Sequence, residues 1–264
     1  MDLKLADKKA FISGSTAGIG YAIAERFLKE GAEVILNGRS QETVDQAVEA
    51  LKKATGSNKV SGIAADFGKV EEVNRLLEAL PEVDILINNT GIFEPKAFEE
   101  IPDEDWFRFF EINVMSGIRL ARHYFPKMLS KNWGRIIFIS SESGVFIPDE
   151  MIHYGMTKTA QIAVSRGLAE LTKGTDVTVN SILPGPTKSK GVGAFIEDLA
   201  KSGNISTKEV ETDFFKNMRP TSLIQRFAAV EEVADTVVYF SSPLASATNG
   251  AAIRVEGGLV RSIL

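Results

Sequence analysis

The sequence predicts an α/β fold in which helices cover both faces of one doubly wound sheet of seven parallel strands. Short apolar segments alternate along the chain with longer segments whose apolar residues recur at helical spacing. The short segments are apolar at nearly every position, which is typical of strands that crossover helices bury on both faces. We therefore expect the polar ends of these strands to meet at the sheet edge where such folds bind ligands.

The first half of the chain supplies four of the predicted strands. The first, Ala10 to Ser13, leads into a glycine-rich turn and then a helix through Glu30, which Gly31 ends as a C-cap. The elements that follow are, in chain order, a strand over residues 33–37, a helix over 42–53, a strand over 59–65, a helix over 70–80 and a strand over 84–87.

The second half begins with a long helix over residues 103–129, because Pro102 and the acidic residues after it suit a first helical turn. Residues 187–226 are too many for an ordinary connection, so they predict a substrate-loop insertion, either a partly helical lid or a mobile segment. Without an internal repeat or a flexible linker, residues 1–264 predict one domain. The other predicted elements are strands over 135–139, 177–183 and 252–255 and helices over 152–171 and 231–240.

Composition and charge narrow the classes of function. The 264 residues are 44% hydrophobic and 25% charged, as in an ordinary globular protein with a substantial core. The net charge of −5 argues against nucleic-acid binding, and no apolar run of about 18 residues predicts a membrane span. The absence of cysteine, the presence of only two histidines and an N-terminus without a signal-peptide core predict no metal site and a cytoplasmic location.

The turn after the first strand predicts an anion site. Its glycines, Gly14, Gly18 and Gly20, allow the backbone to approach a ligand closely. The N–H groups at the start of the next helix and the positive end of its dipole favour a phosphate or pyrophosphate. Because the spacing differs from the G-x-G-x-x-G fingerprint, a purely structural turn is the alternative.

A second polar group follows the fifth strand. The strand ends in Ser140 and Ser141, and Tyr154 and Lys158 share one face of the next helix because they are four residues apart. A neighbouring ammonium favours the phenolate, so it lowers a tyrosine pKa from about 10 toward neutral pH. The group predicts proton transfer by Tyr154, although a packed tyrosine beside a solvated lysine would give the same pattern.

Together these motifs resemble those of the short-chain dehydrogenase/reductase family, in its single-domain branch with a Rossmann-type sheet. The resemblance covers nearly the whole chain. Its motifs are Ser13-Gly14-Ser15-Thr16-Ala17-Gly18-Ile19-Gly20, Asn88-Asn89-Thr90-Gly91, Asn113, Ser141, Tyr154-xxx-Lys158, Pro184-Gly185 with Thr187, Arg226-Phe227 with Glu231 to Ala234, and Gly257-Gly258.

The family pattern also resolves one ambiguity and marks three departures. Its serine lies thirteen residues before its tyrosine, which selects Ser141 over Ser140. The departures are Ser13 in place of threonine, Thr90 in place of alanine and Glu256 in place of the commoner aspartate. None removes a reacting group, but Thr90 adds bulk near the expected cofactor.

The resemblance implies hydride transfer between a nicotinamide cofactor and an alcohol or carbonyl substrate. Tyr154 would exchange the proton, and Ser141 would hold the substrate oxygen. Lys158 would lower the pKa of Tyr154 and hold the nicotinamide ribose. Asn113 would keep a water in the proton relay, unless it is a helix-kink asparagine that bonds backbone. The implied cofactor residues are Gly14, Ser15, Thr16, Gly18, Ile19, Gly20, Arg39, Asp66, Phe67, Asn89, Thr90, Gly91, Tyr154, Lys158, Pro184, Gly185 and Thr187.

The end of the second strand predicts NADP rather than NAD. No carboxylate stands there for the ribose 2′-hydroxyl of NAD, and the guanidinium of Arg39 suits the 2′-phosphate of NADP. Ala17 tempers this prediction, because many NADP-using relatives carry a base at that position. Asp66 would face the adenine, with the N-cap of the next helix as the alternative.

Position along the chain predicts a mostly apolar substrate pocket, although the same residues also suit the core. We expect His153 at the surface or a subunit interface, because it adjoins Tyr154 and so faces elsewhere on the helix. Three acidic residues, Glu142, Asp149 and Glu150, are expected to be solvated. The predicted pocket residues are Phe93, Ser143, Phe146, Ile147, Met151, His153 and Pro186, with the 187–226 segment.

The favoured function is an NADP-dependent carbonyl reductase or alcohol dehydrogenase. One alternative is a 3-oxoacyl-thioester reductase that accepts an acyl-carrier protein, for which only Arg122, Lys127 and Lys131 offer a basic patch. The other is an idle dinucleotide-binding regulator. Family members pair through the helices that correspond to residues 103–129 and 152–172, so the resemblance also implies a homo-oligomer, either a tetramer or a dimer.

Overall fold

The seven predicted strands form one parallel sheet in this computed structural model, which describes residues 1–203 and 205–263. The order across the sheet is β3-β2-β1-β4-β5-β6-β7, so the direction of winding reverses between β1 and β4. The doubly wound fold is confirmed, and folds of this kind bind ligands beyond the strand ends at such a reversal. The strands are β1 (Lys9–Ile12), β2 (Glu33–Gly38), β3 (Val60–Ala64), β4 (Ile85–Asn88), β5 (Gly134–Ile139), β6 (Val177–Pro184) and β7 (Ala252–Val255).

Helices cover both faces of this sheet. Because side chains alternate along each strand, the strands present apolar residues to both of these layers. In β1, Ala10 and Ile12 face one apolar cluster, which includes Phe27 and Val237, while Phe11 faces a second cluster on the other side. The helices are α1 (Gly18–Lys29), α2 (Gln41–Thr55), α3 (Val70–Ala79), α4 (Asp103–Phe110), α5 (Ser116–Ser130), α6 (Ile152–Glu170), α7 (Lys190–Gly203), α8 (Thr207–Asp213) and α9 (Val230–Phe240). None of the described helices is both long and apolar enough to cross a membrane.

The predicted long helix over 103–129 is divided in two. A π-helical turn, Glu111–Met115, joins α4 to α5 and contains Asn113. Such a turn carries one extra residue, which displaces backbone carbonyl groups from the regular helical ladder. Asn113 is therefore presented to its surroundings by an irregular turn rather than by a continuous α-helix.

The described part of the 187–226 segment is largely helical. It contains α7, α8 and a π-helical turn, Phe214–Met218, and its residues Ile196 and Phe215 pack in one apolar cluster with Phe227. A capping box between Ser206 and Glu209 starts α8. This favours the partly helical form of the insertion, while its role as a substrate lid stays a prediction.

Candidate active site

The glycine turn lies at the carboxyl edge of the sheet, between β1 and α1. Gly14 and Gly18 have φ values of 60° and 61°, which favour glycine. A Cβ on Gly20 would lie 2.6 Å from the Gly14 carbonyl oxygen and equally close to the side-chain nitrogen of Asn89. The spacing of the glycines thus serves close packing as well as turn geometry.

Side chains from β2 and β4 hold this turn in place. The N–H of Gly14 donates to Oδ1 of Asn37 (3.1 Å), and Nδ2 of Asn89 donates to the carbonyl oxygens of Ser13 (3.0 Å) and Gly14 (2.8 Å). Oγ of Ser13 accepts from the N–H groups of Asn89 (2.9 Å) and Thr90 (3.0 Å). A serine therefore serves at the position where the family pattern has threonine.

The start of α1 fits a phosphate-bearing ligand. The first N–H groups of a helix, here those that begin at Gly18, lack partners inside the helix, and the N-cap residue Ala17 offers no side-chain hydrogen bond to them. Oγ1 of Thr90 is buried close by without a partner. Ser15, in contrast, is fully buried, and its hydroxyl donates to the Ile12 carbonyl (2.7 Å), so its side chain supports the turn.

Three further predicted cofactor residues lie at the ends of β2 and β3. Arg39 is exposed and directly follows Gly38, the last residue of β2. A Cβ on Gly38 would lie 2.6 Å from Cγ2 of Thr16, so this strand end packs on the glycine turn. Oδ1 of Asp66 accepts from the N–H of Gly68 (2.9 Å). Asp66 is not the N-cap of α3, because Lys69 has that position. Phe67 is 3% exposed and belongs to the core.

The remaining predicted cofactor residues lie where β6 ends and the insertion begins. A Cβ on Gly185 would lie 2.7 Å from Cα of Glu256, so the backbones approach closely there. Oγ1 of Thr187 donates to the Gly185 carbonyl (2.9 Å). A Cβ on Gly18 would lie 3.5 Å from Cβ of Ser189. The start of the insertion therefore packs against the glycine turn, shortly after β6 ends at Pro184.

Ser141, Tyr154 and Lys158 meet at the same edge. Ser141 lies two residues beyond the end of β5, as the N-cap of the 3₁₀ turn Glu142–Gly144, and α6 carries the other two on one face. Nζ of Lys158 lies 5.6 Å from the centroid of the Tyr154 ring and would lie 3.4 Å from a Cβ on Gly91, which places it beside the segment after β4. The same Nζ donates to the Ile139 carbonyl (2.9 Å) and to Oε1 of Gln161 (3.1 Å).

The side chain of Asn113 bonds mainly to backbone. Its Oδ1 accepts from the N–H of Ile92 (2.7 Å), and its Nδ2 donates to the Ile92 carbonyl (3.0 Å) and to Oγ1 of Thr157 (3.0 Å). Its own carbonyl oxygen accepts from Nε2 of Gln161 (2.6 Å). The amide of Gln161 thus joins Lys158 to Asn113, a contact that the sequence analysis missed although Gln161 follows Lys158 at helical spacing.

The expected lowering of the Tyr154 pKa is wrong for this arrangement. Burial raises the pKa of Tyr154 above its ordinary value, and the carboxyl group of Glu142 adds to the rise, while a hydrogen bond with Ser141 opposes it. Burial also lowers the pKa of Lys158 to about 8, against the effect of Glu142. Desolvation therefore outweighs the attraction that the spacing of the pair suggested.

The predicted exposure of two side chains, those of Glu142 and His153, is wrong. Glu142 is 6% exposed rather than solvated, because a short 3₁₀ turn, Glu142–Gly144, folds it inward beside Ser141. His153 is fully buried within the chain, with its ring 4.1 Å from that of Phe109, because its face of α6 packs on α4. Of the other acids expected to be solvated, Asp149 is exposed, while the half-buried Glu150 pairs with Arg219 (2.9 Å).

Apolar side chains surround the entrance to this group. The ring of Phe93 lies 6.3 Å from that of Tyr154 and is 61% exposed. Phe146 and Ile147 are about half exposed, whereas Ser143 is buried. The remaining predicted pocket residues, Met151 and Pro186, are half-buried.

Comparison with known proteins gives consistent matches. The short chain dehydrogenase family matches residues 8–200. An uncharacterised oxidoreductase of Bacillus subtilis, YvrD, is 53% identical over 266 residues, with 100% of each chain covered. A 3-oxoacyl-[acyl-carrier-protein] reductase of Aquifex aeolicus is 30% identical over 263 residues, covering 98% of this chain and 100% of that protein. The solved L-sorbose reductase of Gluconobacter frateurii, complexed with NADPH and L-sorbose, is similar with a TM-score of 0.93, 32% identity and full coverage of both chains.

Proposed function

This chain belongs to the short-chain dehydrogenase family of oxidoreductases, and on that premise we propose that it is an NADPH-dependent carbonyl reductase. The observation that carries the proposal is the convergence of Ser141, Tyr154 and Lys158 beside the glycine turn, at one edge of the sheet. A dinucleotide held by that turn would extend along the crevice toward Tyr154.

The glycine turn and the start of α1 would bind the pyrophosphate through backbone N–H groups. Arg39 would bind the 2′-phosphate, since it is exposed directly beyond β2 and no carboxylate competes with it in the Asn37-Gly38-Arg39-Ser40 stretch. When bound, the nicotinamide dinucleotide supplies the hydride. Lys158 lies beside Gly91, within reach of the ribose that the resemblance assigns to it.

The protein's own residues would handle the proton. Tyr154 keeps its proton at neutral pH because its pKa is raised, and a protonated phenol is the form needed to donate to a carbonyl oxygen as it gains negative charge. Ser141 would hold that oxygen with a second hydrogen bond.

A polar ketone, in particular a hydroxylated one, is the proposed class of substrate. The L-sorbose reductase supports this class by its similarity along the full chain, and the hydroxyl of Ser143 beside Ser141 offers a further polar partner. The apolar entrance around Phe93 and Phe146 would exclude water from the reacting atoms.

Two observations speak against the alternative functions. Lys131 pairs with Glu82 (2.6 Å) and Lys127 donates to the Pro81 carbonyl (2.7 Å), and both lie near the start of β5, at the sheet edge opposite Ser141. An acyl-carrier protein bound there would be far from the site. An idle regulator, for its part, would have no need of a buried ammonium beside Tyr154, because burial of a charge is unfavourable and two hydrogen bonds offset only part of that cost.

The direct test is a substrate panel with NADPH, followed by the loss of absorbance of the reduced nicotinamide. We expect reduction of hydroxylated ketones such as L-sorbose to exceed that of 3-oxoacyl thioesters, with slower turnover when NADH replaces NADPH. The reverse assay, with alcohols and NADP, measures the preferred direction. Absence of turnover with every carbonyl compound would contradict the proposal.

We also propose that the protein is a cytoplasmic homo-oligomer. The charge, the composition and the family resemblance support both parts. The α4 helix adds one observation, since Phe107 on it is 73% exposed and Phe110 is 39% exposed. Large apolar side chains on an exposed helix face are typical of a surface that a second copy covers.

A further inference from the structure

Glu142 is a buried acid in direct contact with the proposed substrate-binding serine. The Ser141 hydroxyl donates to Oε2 of Glu142, and the N–H of Ser143 donates to Oγ of Ser141 (3.1 Å). A hydrogen bond with Ser141 opposes the rise in the pKa of Tyr154, which places the Tyr154 hydroxyl beside that of Ser141. The hydroxyl of Ser141 therefore has three protein neighbours before any substrate arrives.

A serine hydroxyl has one proton to donate and two lone pairs to accept. The N–H of Ser143 uses one lone pair. When Glu142 is ionised, its carboxylate accepts a hydrogen bond from the Ser141 hydroxyl. The remaining lone pair of Ser141 then accepts a hydrogen bond from the Tyr154 hydroxyl. Both protons are then turned away from a carbonyl oxygen in the site.

The neutral form of Glu142 reverses this pattern. Its O–H donates to the second lone pair of Ser141, which leaves Ser141 with no acceptor capacity. The proton of Ser141 and that of Tyr154 are then both free to face the substrate oxygen.

We propose that Glu142 is a positioning residue whose neutral form directs the hydroxyl protons of Ser141 and Tyr154 onto the substrate oxygen. The inference rests on the proposed carbonyl reduction and adds a titratable carboxyl group to a site described so far by Ser141, Tyr154 and Lys158. Its ionised form is the less reactive one, because Ser141 and Tyr154 are then engaged within the protein.

The charged surroundings of Glu142 are compatible with a neutral carboxyl group. Tyr154 and Lys158 face it from α6, and Arg219 faces it from the segment after α8. Arg219 is already paired with Glu150 (2.9 Å), so its charge is partly compensated. Burial raises the pKa of Glu142 from its ordinary value of 4.5, and the hydrogen bond from Ser141 and the charge of Arg219 only oppose that rise.

The test is the pH profile of kcat/KM for ketone reduction in wild type, Glu142→Gln and Glu142→Met. In wild type we expect a decrease of about tenfold per pH unit above the pKa of Glu142. The amide of Glu142→Gln donates to Ser141 at every pH, and Glu142→Met removes the competing acceptor. Both variants should lack this decrease and keep only the one at higher pH that loss of the Lys158 ammonium causes. Asp149→Asn, the same loss of charge on an exposed residue of the same segment, should keep it.

A second measurement does not depend on activity. Since the pKa of Glu142 is raised on folding, the neutral form stabilises wild type below pH 4.5, and this contribution is lost as pH rises through the folded pKa. The difference in Tm between Glu142→Gln and wild type should therefore grow with pH over that range. A difference that is constant with pH would overturn the inference.

The two proposals fail in different ways. If wild type reduces ketones and both Glu142 variants keep its decrease with pH, the role of Glu142 is wrong and the reductase stands. If wild type reduces no carbonyl compound, the reductase fails and the role of Glu142 fails with it, because that role has no substrate to act on.

Discussion

Polar residues at strand ends perform most of the positioning at this site. Asn37 holds the glycine turn from β2, Asn89 holds it from β4, and Ser141 follows β5. Each is buried or half-buried among backbone groups that it satisfies, so its loss would leave unpaired donors or acceptors. Single hydrogen bonds from such side chains therefore hold the geometry of the candidate site.

Gln161→Leu tests how the Lys158 ammonium is held. The change removes one of two acceptors of Nζ, and loss of an acceptor disfavours the charged form. We expect the pKa of Lys158 to fall below about 8. As pH rises, the activity that depends on the ammonium should then be lost earlier than in wild type.

Gln161→Glu is the matched variant, because a carboxylate would raise the pKa of Lys158 and move the same limb of the pH profile upward. Profiles of kcat/KM in the two variants that coincide with wild type would show that Gln161 serves packing alone.

Arg39→Ala tests the choice of cofactor. Hydrogen bonds to a charged group contribute about 1.5–3 kcal/mol, so the KM for NADPH should rise tenfold or more while that for NADH changes little. Arg122→Ala, which removes another exposed arginine from α5, is the control. An unchanged ratio of the two KM values would contradict the assignment of NADP.

Local elements explain why the sheet edge becomes a site. The glycines of the turn let the backbone pack closely where β1 leads into α1, and the π-helical turn aims the carbonyl of Asn113 at Gln161. Both are departures from regular structure, and such departures are typical of functional regions.

Gly20→Ala tests the packing of the turn. Its Cβ would meet the Gly14 carbonyl oxygen at 2.6 Å, and overpacking of this kind typically destabilises by about 1–3 kcal/mol. We also expect weaker NADPH binding in a fluorescence titration, because the backbone must shift away from the phosphate.

Gly167→Ala gives the comparison, since a Cβ on this exposed glycine of α6 meets nothing within 4 Å. There we expect a gain of about 0.5–1 kcal/mol from helix propensity, measured by urea unfolding. Equal stability and equal NADPH affinity in the Gly20 and Gly167 variants would rule out the packing argument.

At the scale of the whole molecule, the reversal of strand order between β1 and β4 gathers the chemistry at one edge. The glycine turn, the segment after β4 and Ser141 come from strands that are neighbours in the sheet, although they are far apart in sequence. Parallel strands place all of their carboxyl ends on the same side.

Much of this arrangement could be predicted from the sequence. The alternation of apolar strands and amphipathic helices predicts the sheet, and the thirteen-residue spacing distinguishes Ser141 from Ser140. The burial of Glu142 and His153 could not be predicted, because it depends on a short 3₁₀ turn and on the packing of α6 against α4. Nor could the direction of the Tyr154 pKa, since burial, which composition does not reveal, outweighs the nearby ammonium.

Assembly is a further prediction at this scale. We expect light scattering after size exclusion to give a multiple of the 28.7 kDa chain mass. Phe107→Asp should shift that mass downward if the exposed face of α4 is covered by a second copy, because a carboxylate there would have to be desolvated. A monomer in wild type would contradict the proposed homo-oligomer.

We propose above all that Tyr154 donates the proton during carbonyl reduction. Tyr154→Phe removes the hydroxyl and keeps the ring, so NADPH binding and the unfolding temperature should stay close to wild type. The kcat for reduction of the best ketone in the panel should fall by about 10²–10⁴-fold, the usual contribution of a general acid. A Tyr154→Phe protein that binds NADPH and retains full kcat would contradict the role of Tyr154 as proton donor.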